Sequence, residues 1–224
     1  MSSYGQTFAA WRAGAEGHWR AYTHHPFVEG LGDGTLPRAA YLHYLVQDYS
    51  FLIHFSRAWA LAVTKAETPE EMRFAARTLD SLLNDEIALH VATCAREGLS
   101  EDDVFAAAER EENLAYTRYV LDAGHSGDFL DLLAALAPCV MGYGEIGARL
   151  GREAGETPYR EWIDTYAGAD NQRVCQEVGA LIDGAVLRRL GPRPQTSPRW
   201  ANIQNRFTTA TRLEVRFWDM GLTP

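Results

Sequence analysis

The 224-residue chain is 46% apolar, 11% aromatic and 23% charged, the composition of a globular protein able to bury roughly 70% of its unfolded surface. A formal net charge of -9 argues against nucleic acid, whose phosphates need clustered Lys and Arg, and no run of eighteen apolar residues offers a membrane span. The opening "MSSYGQTFAAWRAGAEGHW" lacks the basic and apolar regions of a signal peptide, and three separated cysteines without a CxxC pair, Cys94, Cys139 and Cys175, fit a reducing compartment, so a cytoplasmic protein is expected.

In chain order, nearly every segment shows the helical period, and no alternating run bounded by turn residues suggests a strand. The expectation is all-α, one domain over 1–224, with helices at 4–22, 37–66, 69–98, 109–123, 127–151, 158–167, 169–190 and 197–220. Pro37, Pro69 and Pro158 sit near helix starts, where a missing N–H costs nothing. "TPEE" at Thr68–Glu71 reads as a capping box, "TSPR" as a weaker start, and the "HH" at 24–25 as a loop or helix start. Gly98, Gly124, Gly151 and Gly191 read as helix stops. "GPRPQTSP" reads as a tight crossover before the closing helix.

Three helices each place one polar, reactive residue on an otherwise apolar stripe. In "YLHYLVQDYSFLIHF" the face through Tyr41, Tyr44, Leu45, Asp48, Phe51, Leu52 and Phe55 carries Asp48 as its only charge. In "FTTATRLEVRFWDM" the face through Phe207, Ala210, Thr211, Glu214, Phe217, Trp218 and Gly221 carries Glu214 as its only charge. In "LAALAPCVMGYGEIGARL" the face through Leu132, Ala135, Leu136, Cys139, Gly142, Tyr143 and Ile146 puts Cys139 and Tyr143 one turn apart. A buried carboxylate costs several kcal/mol unless paired or protonated, so two of them suggest a polar pocket; a structural cap or an Arg partner would explain either acid alone. A buried cysteine is ordinarily a small hydrophobe. Here Pro138 opens the backbone, and Gly142 and Gly144 each cost about 1 kcal/mol in a helix, which close approach of a ligand or another helix would offset.

Glu86 and His90, four apart among Leu79, Leu82, Leu83 and Leu89, read as an internal acid–imidazole pair ahead of a metal site. All seven histidines lie at or before position 125, which disfavours a di-iron site built from both halves of a bundle. Cys94 and Cys175 read as structural, and Trp200 and Trp218 as core.

Four stretches, "YLVQDYSFLIHFSRAW", "ALAPCVMGYGEIG", "WIDTYAGADNQ" and "RLEVRFWDMG", resemble the TenA/thiaminase II family in order and spacing from about Phe8 to Met220. The resemblance implies a haem-oxygenase-like helical bundle without haem, metal or other cofactor, assembled as a homotetramer. It implies hydrolysis of a thiamin-derived pyrimidine to 4-amino-5-hydroxymethyl-2-methylpyrimidine, expelling ammonia from the aminomethyl pyrimidine or the thiazole from thiamin. Carried over by motif, the family's nucleophile falls on Cys139, its acid–base glutamate on Glu214 and its pyrimidine-anchoring aspartate on Asp48. Phe51, Tyr116, Tyr143 and Tyr166 fall on its pocket aromatics, and Cys139 places the chain in the cysteine-containing branch. A pyrimidine-binding regulator without turnover, or a metal-dependent oxidase recruiting Glu86 and His90, are the alternatives.

Overall fold

The computed structural model describes residues 4–224; the first three residues of the expected 1–224 unit lie outside them. Among the described residues twelve α-helices succeed one another: α1 Gln6–Gly14, α2 Glu16–Thr23, α3 Pro26–Asp33, α4 Arg38–Lys65, α5 Pro69–Ser81, α6 Ile87–Arg96, α7 Glu101–Phe105, α8 Glu111–Ser126, α9 Phe129–Glu153, α10 Arg160–Ala167, α11 Ala169–Leu190 and α12 Trp200–Gly221. A π-turn, Leu82–Glu86, joins α5 to α6, and a short 3₁₀ turn, Pro194–Thr196, lies in the crossover before α12. Among the described residues there is no strand.

Helix α9 is the axis. It packs against α12, α10, α11, α8, α2 and α4, and is apolar and long enough to cross a bilayer, yet most of it is buried inside the protein. Asp128 caps its start by accepting from Leu130 and Asp131 N–H, while the Asp131 carboxylate accepts from Asp128 N–H at 3.1 Å, a complete capping box. The carbonyls left near Pro138, which has no N–H, are served from outside: Tyr22 Oη donates to the Pro138 carbonyl at 3.3 Å.

Several boundaries depart from the sequence reading. The helix expected over 4–22 is two, because Gln204 Nε2 donates to the Trp11 carbonyl at 2.9 Å and Ala15 N–H turns to Arg12 O at 3.1 Å. Helix α3, absent from the expected set, starts where His25 Nδ1 accepts from Phe27 N–H at 3.2 Å and Pro26 occupies the first turn. Helix α7, also unexpected, is held by a Ser100–Asp103 capping box. Gly124 and Gly151 do not stop helices. They lie inside α8 and α9, where added Cβ atoms would meet Leu61 Cδ1 at 3.1 Å and Ala167 Cβ at 2.8 Å, so each admits a neighbouring helix. Gly98 and Gly191 do end helices, with φ of 85° and 81°.

At Thr68 the cap forms, its Oγ1 accepting from Glu71 N–H at 3.2 Å, but the Glu71 carboxylate takes Glu67 N–H rather than closing the box on Thr68. Glu71 is instead committed to Arg189, whose guanidinium donates to both its oxygens at 2.8 and 3.0 Å with both side chains buried.

Candidate active site

The three stripes converge. The α4 face is buried throughout, Tyr41, Tyr44, Leu45, Phe51, Leu52 and Phe55 flanking Asp48. Phe207, Ala210, Thr211, Glu214, Phe217 and Trp218 are buried on α12, and α9 brings Cys139 and Tyr143 between them. A cavity of about 770 Å³ opens against these helices, its wall including Asp48, Phe51, Cys139, Tyr143, Tyr166 and Trp162. Cys139 is half-buried because its face borders that space.

Aromatic rings shape the floor. Tyr143 lies edge-on to Tyr166 with centroids 4.9 Å apart, Trp162 packs on Tyr166 at 4.7 Å, and Phe51 leans on Tyr116 at 5.1 Å and Phe217 at 5.5 Å. Such walls suit a flat, polar-edged ligand.

Glu214 lies behind the wall, 1% exposed, and Tyr116 Oη donates to its Oε1 at 2.7 Å. Burial pushes this carboxyl up to about 8, although the Tyr116 hydroxyl opposes the rise. Tyr116 is thus the partner of Glu214 rather than part of the cavity wall. Asp48 accepts from Tyr44 Oη at 3.3 Å, and Tyr44 Oη in turn accepts from Trp162 Nε1 at 3.3 Å. Burial pushes Asp48 up to about 7, the Tyr44 bond again opposing it. Burial, then the nearby Glu214, push the Cys139 thiol well above its ordinary value. The resting sulfur is therefore a thiol, and needs a base to attack.

The Glu86–His90 pair is not formed as expected. His90 Nε2 contacts the Leu45 carbonyl at 2.6 Å and its Nδ1 faces Asp48 Oδ2 at 3.6 Å, because the π-turn rotates α6 away from the register that aligned Glu86 with His90. Both side chains border the cavity. Among the described residues no three His, Cys, Asp or Glu side chains form a group able to hold a metal.

Tyr22 is the neighbour that sequence reasoning missed. It is fully buried in α2, and Glu214 and Cys139 are the charged forms that act most strongly on its hydroxyl after burial itself. A Cβ at Gly142 would run into Tyr22 Cε1, and one at Gly144 would sit 2.5 Å from Cys175 Sγ. The two glycines beside Cys139 therefore admit side chains from α2 and α11; the glycine pair was the signal, though it did not name Tyr22. Cys175 and Cys94 are buried, Cys175 Sγ donating to the Val140 carbonyl at 3.3 Å.

A family model described as TENA/THI-4/PQQC family matches residues 12–223. A Haemophilus influenzae protein described only as uncharacterized is 42% identical over 93% of this chain and 95% of its own length. An aminopyrimidine aminohydrolase from Halalkalibacterium halodurans is 34% identical over 91% of this chain and 89% of its own. Among solved structures, a TenA family transcription regulator from Silicibacter sp. TM1040 matches with a TM-score of 0.98 at 62% identity, over 99% of this chain and 98% of that one. A Shewanella denitrificans domain with a heme oxygenase-like fold matches with a TM-score of 0.72 at 13% identity, over 95% and 90%, a likeness that bears on fold alone.

Proposed function

Since the chain belongs to the TENA/THI-4/PQQC family, we propose that it hydrolyses thiamin-derived pyrimidines in thiamin salvage, with Cys139 as nucleophile. Relatives named aminopyrimidine aminohydrolase support the reaction class. The observation that carries the reading is the meeting of a thiol, two proton-retaining carboxyls and stacked aromatic rings at one cavity.

In this reading the pyrimidine lies among Phe51, Tyr143 and Tyr166, with its 4-amino group donating to Asp48. Neutral Glu214 gives its proton to a ring nitrogen as the Cys139 sulfur bonds to a ring carbon, and the thiol proton replaces the one Glu214 gave. Electrons returning from the ring expel the exocyclic amine with its bonding pair, and Glu214 protonates it. Water then adds to the methylene, returning a proton to Glu214. Finally the carbon–sulfur bond breaks, the ring nitrogen gives up its proton, and ring and thiol are restored. Tyr116 holds Glu214 in place throughout, acting as a positioning residue.

A second reading, pyrimidine binding without turnover, draws on the Silicibacter relative described as a transcription regulator. One experiment separates them: purified protein is given the aminomethyl pyrimidine, its formylated precursor and thiamin, and hydroxymethyl pyrimidine is followed by chromatography. Release from any of the three supports the hydrolase; binding of all with release from none supports the regulator. The homotetramer is part of the same proposal, and light scattering tests it by a mass four times that of one chain.

A further inference from the structure

Resting on the hydrolase reading, we infer that His90 is a positioning residue that takes the proton of Asp48 when a pyrimidine amino group docks on that carboxyl. Residues 69–98 read as one continuous helix in the sequence, but the π-turn at Leu82–Glu86 interrupts it, and each residue inserted by such a turn rotates the rest of the helix by about 100°. Leu83 and Leu89 are left about half exposed, while His90 swings onto α4 beside Asp48. A register that exposes two leucines to bury an imidazole at a cavity wall sets function above core packing.

The imidazole's two nitrogens have fixed roles. A carbonyl can only accept, so the 2.6 Å contact with Leu45 O puts the proton of neutral His90 on Nε2. Nδ1 then carries the lone pair, and it faces Asp48 Oδ2 at 3.6 Å, both side chains less than a tenth exposed. A shift of a few tenths of an ångström makes this a hydrogen bond. Asp48 protonated and His90 neutral, or Asp48 ionised and His90 protonated, are the two states of one shared proton.

Burial favours the neutral form of each group, holding Asp48 up and His90 down. The 4-amino group of a pyrimidine, a donor, is best met by an ionised Asp48. Passing the proton across to Nδ1 provides that carboxylate without releasing a proton to solvent. The other titratable groups around Asp48 do not substitute for His90. Tyr41 and Tyr44 on α4, Cys94 on α6, Cys139 and Tyr143 on α9, and Tyr166 on α10 all hold their protons more tightly than usual. Glu86 in the π-turn and Glu214 on α12 are acids, and their charge raises rather than relieves its neighbours' proton affinity.

The test is calorimetric binding of hydroxymethyl pyrimidine at pH 6.5 in two buffers of different ionisation enthalpy, with wild type and His90→Gln. Gln keeps a donor for Leu45 O and holds no extra proton. Wild type is expected to exchange no proton with buffer, and His90→Gln to release close to one, with affinity falling about tenfold per pH unit below 7. Equal proton counts in the two proteins, or release of a proton by wild type, overturns the inference while leaving the hydrolase reading intact; failure of wild type to bind any of the pyrimidines overturns both. Nitrogen-15 NMR of labelled wild type reads the same step with no variant in the binding experiment: His90 Nδ1 should move to the protonated range on binding at pH 7, and an unmoved Nδ1 overturns the inference.

Discussion

Glu214→Gln should stabilise the protein at alkaline pH while abolishing turnover at every pH. Burial holds the Glu214 carboxyl up at about 8, against an ordinary 4.5. Below about pH 4.5 the folded and unfolded chains both carry this proton, so it contributes no pH dependence. Between there and pH 8 the unfolded chain loses the proton while the folded chain keeps it, and stability falls as pH rises; above pH 8 the whole penalty is present. At 1.36 kcal/mol per pH unit the interval corresponds to ~5 kcal/mol, an upper bound because water and side chains rearrange around the new charge. About 2–3 kcal/mol should survive at pH 9. The glutamine amide keeps an acceptor for Tyr116 Oη but has no proton to lose. Urea unfolding from pH 5 to pH 9 should therefore show the two proteins equally stable at the acid end and separating steadily towards pH 9. Asp48, raised to about 7, contributes a slope of the same sign to both proteins and cancels in the difference. Parallel unfolding midpoints across the range would mean that Glu214 is not held neutral, and its role as a resting acid would fall.

Tyr116→Phe removes the bond that favours ionised Glu214, so the pH–rate limb assigned to that carboxyl should move upward and kcat should drop by roughly 10- to 100-fold, as read from steady-state profiles. Gly142→Ala places a methyl against Tyr22; the overpacking should cost about 1–3 kcal/mol, measured by thermal melting, and displace the Tyr22 ring from Pro138. Glu71→Ala leaves Arg189 buried without its bidentate partner and should destabilise by about 3–5 kcal/mol with kcat per folded molecule unchanged, since the pair is remote from the cavity wall.

The site's scaffold was legible because burial imposes a period. Asp48, Cys139 and Glu214 each stood out as the one reactive group on an apolar stripe, and the folded chain brings the three stripes together. The elements that escaped are those decided by tertiary contacts. Nothing local marks the break at Ala15, which results from Gln204 reaching the Trp11 carbonyl from α12. Gly124 and Gly151 carry the same residue type as true helix stops, and only the neighbouring helix distinguishes a contact glycine from a terminal one. The π-turn preserves an apolar, helix-forming sequence while changing which residues face inward, so His90 was aligned with Glu86 when its partner is Asp48. Tyr22 was hidden because it belongs to a helix whose boundaries were misplaced, although the glycines it packs against were visible beside Cys139.

The nucleophile itself is tested most directly by Cys139→Ala assayed on the aminomethyl pyrimidine beside wild type, with circular dichroism and melting to show that the fold persists. Release of hydroxymethyl pyrimidine should fall by at least about a thousandfold while pyrimidine binding through Asp48 and the aromatic floor remains. Turnover by Cys139→Ala at a rate comparable to wild type would contradict the covalent route and remove Cys139 from the chemistry.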